Sequence, residues 1–127
     1  MSVIQPQIAA NAAENAVLTK ATLRAADLLD ITARMLASVI GVSEATVSRM
    51  RRQEFLLERG TKPFELAVLF VRLFRSLDAI VGGDETVARA WLKNANTAFD
   101  GSPVEKILTI TGLVDVIAYL DSRRALV

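Results

Sequence analysis

The sequence lacks both cysteine and histidine. Without cysteine it forms no disulfide and offers no thiolate as a nucleophile or metal ligand. Without histidine it lacks the commonest general base and the commonest metal ligand. An enzyme made from this chain would depend on carboxylates, lysines or Tyr119. The composition therefore favours a non-enzymatic protein, and we expect no cofactor and no metal.

The net charge is small, and the sequence has no long apolar run without charged residues. The formal charge is +1, which is too small for general binding of polyanions, so any contact with nucleic acid must come from a local cluster. The most apolar stretch, 64–81, contains four charged residues, and we expect no membrane span. The N-terminus lacks a basic stretch followed by an apolar run, so we expect a cytoplasmic protein.

Helical periodicity and helix-boundary residues dominate the sequence. Hydrophobic residues make up 52 % of the 127 residues, enough for a core without cross-links. No stretch has the alternating pattern of a strand, so an all-α fold is predicted. Residues 1–15 are alanine-rich without a firm period and are predicted as a flexible arm, with Thr19 as the N-cap of the first helix.

Two helical modules are predicted, over residues 16–81 and 84–127. A long helix over 64–81 ends the first module. It is apolar on nearly all sides, so it is predicted as the spine of the fold or as part of a dimer interface. The pair Gly82-Gly83 separates the modules, and Asp84 is predicted to cap the next helix.

Helix signals in the second module cluster around a turn. Ser102 and Glu105 have the spacing of a capping box, with a proline at the first helical position between them. Gly112 is predicted to end this short helix. A last helix is then predicted over 113–123.

The segment 36–52, LASVIGVSEATVSRMRR, has the spacing of a helix-turn-helix. Ala37 is small enough for two helices to cross there, and Gly41 tolerates the left-handed backbone of the turn. Ser43 is the N-cap of the second helix. Apolar residues that hold the two helices together are Leu36, Ile40, Val42, Val47 and Met50. The alternative is an ordinary helical corner with a solvated basic face.

The outward face of the second helix is predicted to read DNA. In a helix-turn-helix this helix enters the major groove and its early residues reach the base edges. Arg49 and Arg52 are expected to contact one guanine and one phosphate. The predicted DNA-binding residues are Ser43, Glu44, Thr46, Ser48, Arg49 and Arg52. Further phosphate contacts are expected from Arg34, Arg51, Arg59 and Lys62.

Other polar and aromatic candidates carry weaker signals. The carboxylate pairs at 84–85 and 54–58 are more typical of helix caps and helix surfaces than of general acid–base chemistry. Trp91 and Leu92 are neighbours in a stretch whose apolar residues have helical spacing. That pattern favours a core position over a platform on which a ligand stacks.

With these motifs the N-terminal module resembles an Xre-type repressor domain, in which TVSR at 46–49 is typical of the recognition helix. The segment 84–125 resembles the Xre/MbcA/ParS-like toxin-binding domain. It has a WL pair, an asparagine, a Gly-x-Pro turn, a short helix, a glycine and an amphipathic helix. The turn FDGSP departs from the usual leucine and glycine. This order of modules resembles the antitoxins of RES–Xre toxin–antitoxin pairs.

The resemblance implies a dimeric antitoxin that blocks the cleft of a RES-type, NAD-consuming toxin and represses its own operator. The last helix is expected to project its end toward the toxin. The predicted toxin-binding residues are Tyr119, Arg123, Arg124, Leu126 and Val127. Alternatively, the two arginines only favour the helix C-terminus through its dipole, worth about 0.3–1 kcal/mol. Two other functions remain open: a stand-alone dimeric repressor, and an interaction protein that no longer binds DNA.

Overall fold

The computed structural model describes residues 4–125, and this part of the chain folds into helices around one core. The helices are α1 (Ile4–Leu28), α2 (Ala33–Ile40), α3 (Glu44–Arg51), α4 (Lys62–Ile80), α5 (Glu85–Lys93), α6 (Pro103–Lys106) and α7 (Ile110–Ala125). Extended pairing in the described residues is limited to a single bridge between Asn96 and Gly101. The predicted all-α fold is confirmed. None of the helices within 4–125 is long and apolar enough to cross a bilayer.

The first helix begins at Ile4, far ahead of the predicted start at Thr19. Residues 4–15, predicted as part of a flexible arm, are therefore helical in the structure, and residues 1–3 lie outside the described part. Alanines fill much of this stretch. Because alanine has the highest helix propensity, a helix forms here without an apolar period.

Contacts with a later loop hold the first half of α1. The guanidinium of Arg59 donates to Glu14 at 2.8 Å, and its backbone N–H donates to the side-chain oxygen of Asn15 at 3.0 Å. Thr19 is buried, and its hydroxyl donates to the Asn15 carbonyl at 2.7 Å. The same hydroxyl accepts from the backbone N–H of Leu57 at 2.9 Å. Thr19 therefore anchors a loop inside the fold and does not cap a helix.

The predicted corner between α2 and α3 is present. Thr32 caps α2, and its hydroxyl accepts from the backbone N–H of Met35 at 3.1 Å. Gly41 adopts the left-handed conformation, with φ 73°, and its N–H donates to the Ala37 carbonyl at 2.9 Å. Ser43 then caps α3 by accepting from the N–H of Thr46 at 3.0 Å. These caps fix the angle at which α3 leaves the turn.

Helix α4 is the spine of the fold. It is capped by Thr61, and a proline lies in its first turn, as predicted. Its buried side chains include Phe70, Leu73 and Leu77, and it packs against α1, α2 and α7, most extensively against α7. Gly82-Gly83 therefore separates two helices but does not divide the core.

Two helix boundaries in the last third differ from the prediction. Ser102 precedes α6, but its side chain makes no capping hydrogen bond, so the predicted capping box does not form. Gly112 does not end a helix, because α7 already begins at Ile110. A Cβ atom at Gly112 would lie 1.9 Å from the carbonyl oxygen of Lys106. This glycine therefore permits the close approach of α7 to the end of α6.

Candidate DNA-binding and partner-binding surfaces

Helix α3 presents one face to the core and another to solvent. Val47 and Met50 are buried, which holds the helix against α1 and α2. The exposed side chains up to the last turn are Glu44, Ala45 and Ser48, and Arg49 is exposed in the last turn. Ser43, at the cap, is also exposed. This short-chained polar face, with one arginine at its far end, is the shape that a major-groove reader requires.

Thr46 does not lie on that exposed face. It is only 8 % exposed, and its hydroxyl lies 2.9 Å from the Ser43 hydroxyl. The same hydroxyl accepts from the guanidinium of Arg49 at 3.0 Å. The prediction that Thr46 faces outward is wrong, because the residue is turned into the cap of α3. It positions the arginine one turn later.

The arginines after position 49 have protein partners. Helix α3 ends at Arg51, whose guanidinium donates to both carboxylate oxygens of Asp27 on α1, at 2.9 and 3.3 Å. Arg52 is the C-cap residue and donates to Glu54 at 3.2 Å. Arg49 and Arg52 are therefore not equivalent, because Arg52 lies past the helix and is held by an acidic neighbour.

The other predicted phosphate contacts differ in whether they are paired with a carboxylate. Arg59 is paired with Glu14, and Lys62 is paired with Glu65 at 3.0 Å. Arg34 on α2 is exposed and has no ion pair among residues 4–125. Exposed pairs of this kind contribute little to stability, so exchange of a carboxylate for a phosphate costs little. These residues remain predicted phosphate contacts.

Three aromatic side chains form a cluster in the last third of the chain. Tyr119 of α7 stacks on Trp91 of α5, with ring centroids 6.1 Å apart and an interplanar angle of 13°. Phe99, from the turn between α5 and α6, meets both rings edge-on, at 6.3 Å from Trp91 and 5.1 Å from Tyr119. All three are partly buried. Tyr119, predicted as a toxin contact, therefore also holds α5, the turn and α7 together.

The end of α7 is bound to the spine helix. Asp121 accepts from the Ser76 hydroxyl at 3.0 Å and from the Arg72 guanidinium. Arg124 lies 3.5 Å from the same serine. Arg123 is exposed. The predicted contacts Leu126 and Val127 lie outside the described residues.

An apolar pair that the sequence reasoning missed lies on the outer face of α7. Ile110 is 62 % exposed and Val114, one turn later, is 48 % exposed. Leu108, just before the helix, is 37 % exposed. The signal was present in the sequence: these positions fall outside the helical stripe formed by Leu113, Val116, Ile117 and Leu120.

A salt bridge links the end of α1 to α5. The ammonium group of Lys93 donates to Asp30 at 2.6 Å, and this hydrogen bond with its positive charge lowers the pKa of Asp30. Arg89 on the same helix donates to the Leu28 carbonyl at 3.1 Å. Asp30 also adopts a left-handed backbone conformation, with φ 57°. The pair therefore connects the first and last thirds of the chain.

Helix α3 follows a turn made by a glycine, and a second helical unit packs on the same spine helix. This arrangement defines a helix-turn-helix DNA-binding protein with an appended interaction module. The sequence model of the antitoxin Xre-like helix-turn-helix domain matches residues 9–72. That of the antitoxin Xre/MbcA/ParS C-terminal toxin-binding domain matches residues 76–125. The chain therefore belongs to the Xre/MbcA/ParS-type antitoxins, as its motifs indicated. No curated protein matches it.

The division between the two matched domains falls inside α4. The first match ends at Arg72 and the second begins at Ser76, and both residues bind Asp121 of α7. The spine helix therefore belongs to both domains. The predicted boundary at 82–83 lies between two helices, whereas the boundary between the two family matches lies within α4, which packs against both domains.

Proposed function

We propose that this antitoxin neutralises a RES-domain, NAD-degrading toxin and represses its own operon through α3. It acts in the cytoplasm as a homodimer that assembles with toxin into a larger complex. The observation that supports the proposal is the arrangement of α4, which packs against α1 and α2 of the helix-turn-helix domain and against α7 of the domain matched by the toxin-binding family. The chain acts by binding and has no catalytic role.

The DNA-binding part of the proposal rests on the exposed face of α3. Ser43 and Ser48 have short side chains, and Glu44 lies in the first turn of the helix, so the helix can approach the groove closely. Arg49 is the side chain with the reach to contact a guanine through two hydrogen bonds. Thr46 holds its guanidinium at 3.0 Å, which reduces the freedom lost on binding. Arg52 serves the phosphate backbone after release from Glu54.

The toxin-binding part rests on the end of α7. A cleft that takes NAD must accommodate a doubly charged pyrophosphate, so it offers a site in which an arginine occupies the phosphate-binding space or pairs with an acidic residue. Arg123 is the better candidate, because Arg124 leans toward Ser76. Tyr119 supports this end through its stacking on Trp91. Leu126 and Val127 then cover apolar surface at the mouth of the cleft.

Truncation after Ser122 tests this assignment. The shortened chain keeps Asp121 and its contacts with α4, so we expect a folded protein that still shifts operator DNA. We expect it to lose growth rescue when a RES toxin from the neighbouring gene is expressed. Ile110→Asp and Val114→Asp provide the matched comparison. Full rescue by the truncated chain, with loss of rescue in these two variants, would move the toxin surface to the outer face of α7.

The stand-alone repressor is the second candidate. The apolar pair Ile110 and Val114 also suits contact between copies of the C-terminal module. In that case operator binding would persist and no RES-domain protein would be retained by the purified chain. Co-expression with the neighbouring gene product therefore separates the two functions.

A further inference from the structure

A basic cleft lies between α1, the end of α3 and the loop that follows α3. Two adjoining hollows of 320 and 420 Å³ form it, and both are bordered by Lys20, Leu23 and Arg51. Arg24, one turn after Lys20, borders the first hollow, and Leu56 borders the second. Three basic side chains therefore surround a partly apolar floor. Clefts of this kind concentrate the electric field and attract anions.

Two of the three cations in this basic cleft are not neutralised. Arg51 donates to both carboxylate oxygens of Asp27, which is the one acidic side chain among the residues that line the cleft. Lys20 and Arg24 are exposed and have no ion pair within residues 4–125. The lining therefore carries a surplus of two positive charges, located on α1.

The basic cleft flanks the exposed face of α3. An α-helix turns about 100° per residue, so Arg51 lies about 60° around the axis of α3 from Ser48, at the edge of the exposed face. The bond from Arg51 to Asp27 holds α1 along this edge. Lys20, Arg24 and Asp27 are four and three residues apart, so they share one side of α1. The two unpaired cations therefore border whatever ligand α3 faces.

We propose that Lys20 and Arg24 bind neighbouring phosphates of the DNA strand that borders the groove entered by α3. A helix in the major groove has a phosphate backbone on each side, because the groove is only about 12 Å wide. Lys20 supplies a point charge, and the planar guanidinium of Arg24 donates two hydrogen bonds to one phosphate. These contacts fix the position of α3 on the duplex without reading bases.

This inference deepens the proposed DNA binding and depends on it, whereas toxin binding does not enter. The candidate toxin contacts lie at the end of α7, which lines neither hollow of the basic cleft. A phosphate backbone suits the basic cleft because its two free cations follow the direction of α1. Asp27 does not oppose the phosphates strongly, since Arg51 neutralises it.

The salt dependence of DNA binding tests the proposal. A cation that binds a phosphate releases counterions. Lys20→Gln and Arg24→Gln should therefore each reduce the slope of the logarithm of the association constant against that of the salt concentration by about 1 per bound copy. Affinity should fall by the same factor for DNA from upstream of the gene and for scrambled DNA. Lys20→Arg and Arg24→Lys keep the charge and should keep the slope.

Arg75→Gln is the matched control for these variants. Arg75 is exposed, has no ion pair within residues 4–125 and borders a different groove, between α1 and α4, so its loss should leave the slope unchanged. Unchanged slopes in Lys20→Gln and Arg24→Gln, with a wild-type chain that binds DNA, would overturn this inference alone. A wild-type chain that binds neither DNA would refute the proposed function itself.

Asp27→Asn provides a test with the opposite sign. It removes the one negative charge of the basic cleft, so both DNAs should bind more tightly, and the gain should shrink as salt is added. If Asp27 served only to hold α3 in place through Arg51, the same variant would bind DNA no better or worse than the wild-type chain. That result would contradict the proposal.

The position of the basic cleft on DNA can be mapped directly. The chain has no cysteine, so Lys20→Cys introduces a single thiol to which an iron chelate can be attached. The chelate should cut the DNA backbone at one place in each half-site. Val87→Cys, on the exposed side of α5, is the control and should not cut at a defined place. Absence of defined cutting from position 20, in a complex that still forms, would overturn the proposal.

Discussion

Position 112 has room for a hydrogen atom and nothing larger. The carbonyl of Lys106 occupies the place that a side chain would take, and Thr109 accepts the Gly112 N–H at 3.1 Å. Helix α7 therefore leaves α6 at a separation that only glycine permits. The contact is tertiary in origin, and it fixes where α7 starts along the spine helix.

Gly112→Ala should destabilise the protein by about 2 kcal/mol or more, because the new Cβ must displace a backbone carbonyl. Helix propensity alone predicts the opposite sign, a gain of about 1 kcal/mol for alanine over glycine in a helix. Urea denaturation distinguishes the two. Thr111→Ala, at the exposed neighbouring position, should change stability by less than about 0.5 kcal/mol. A stabilised Gly112→Ala variant would show that α6 and α7 are not this close.

The pair Asp30–Lys93 should make stability depend on pH. The pKa of Asp30 is lowered in the folded state by its bond to Lys93, so the pair stabilises the fold above the unfolded-state pKa of Asp30. That contribution is lost as the pH falls through the lowered pKa. Asp30→Asn tolerates the same left-handed backbone and should reduce the denaturation midpoint near neutral pH, but not in strong acid.

Lys93→Met is the partner control for this pH effect. It keeps the aliphatic stem of the side chain and removes the charge that Asp30 needs. Asp30→Asn and Lys93→Met should each lose the same pH-dependent part of the free energy of unfolding, and the double variant should lose no more. A difference between Asp30→Asn and wild type that persists unchanged in acid would separate the effect from ionisation of Asp30.

At the scale of the element, α3 carries the face that we propose to read DNA and also the residues that anchor the helix. Arg49 points from the exposed face and is held by Thr46, whereas Arg51 is bound to Asp27 of α1. Two arginines two positions apart therefore have different roles. One is available to a ligand, and the other fixes the helix to the body of the protein.

Arg49→Ala should weaken operator binding by about 1–3 kcal/mol and relax specificity at one base pair, as loss of a base-contacting arginine does. Arg51→Ala should leave that specificity unchanged and reduce stability slightly, since its ion pair is exposed. Fluorescence anisotropy with operator and scrambled DNA measures both. Equal loss of specificity in the two variants would contradict the division of roles.

The sequence predicted the α2–turn–α3 corner because its signals are local. Thr32, Gly41 and Ser43 act on residues within one turn of themselves, so their spacing is sufficient. It failed at the start of α1, where alanine promotes a helix without a period. It also failed at Thr46, whose polarity suggested an outward position. The sequence could not identify the partner of Arg51, because Asp27 lies 24 positions earlier in the chain.

At the scale of the whole molecule, one helix joins the two functions. Helix α4 contacts α1 and α2 on one side and α7 along another, and the family division falls within it. Removal of either domain would expose apolar surface of α4. The protein should therefore unfold as one unit, although its two domains belong to separate families.

Leu29→Ala tests this cooperativity, because Leu29 is buried directly after α1, far in sequence from Trp91. The substitution should cost about 2–5 kcal/mol. Trp91, the single tryptophan, reports on the C-terminal domain, and far-ultraviolet circular dichroism reports on all helices. Both midpoints should shift together. A Trp91 transition that stays in place would show that the domains unfold separately.

The most direct test of the account is retention of the toxin by a variant whose operator binding is weakened. The product of the neighbouring gene, which we propose to be the RES-domain toxin, is tagged and co-expressed with the Arg49→Ala chain, and the complex is isolated through the tag. Because α3 and the C-terminal domain present separate surfaces, we predict that Arg49→Ala is retained as fully as the wild-type chain. Recovery of the tagged protein alone, from cells that contain the folded wild-type chain, would contradict the account.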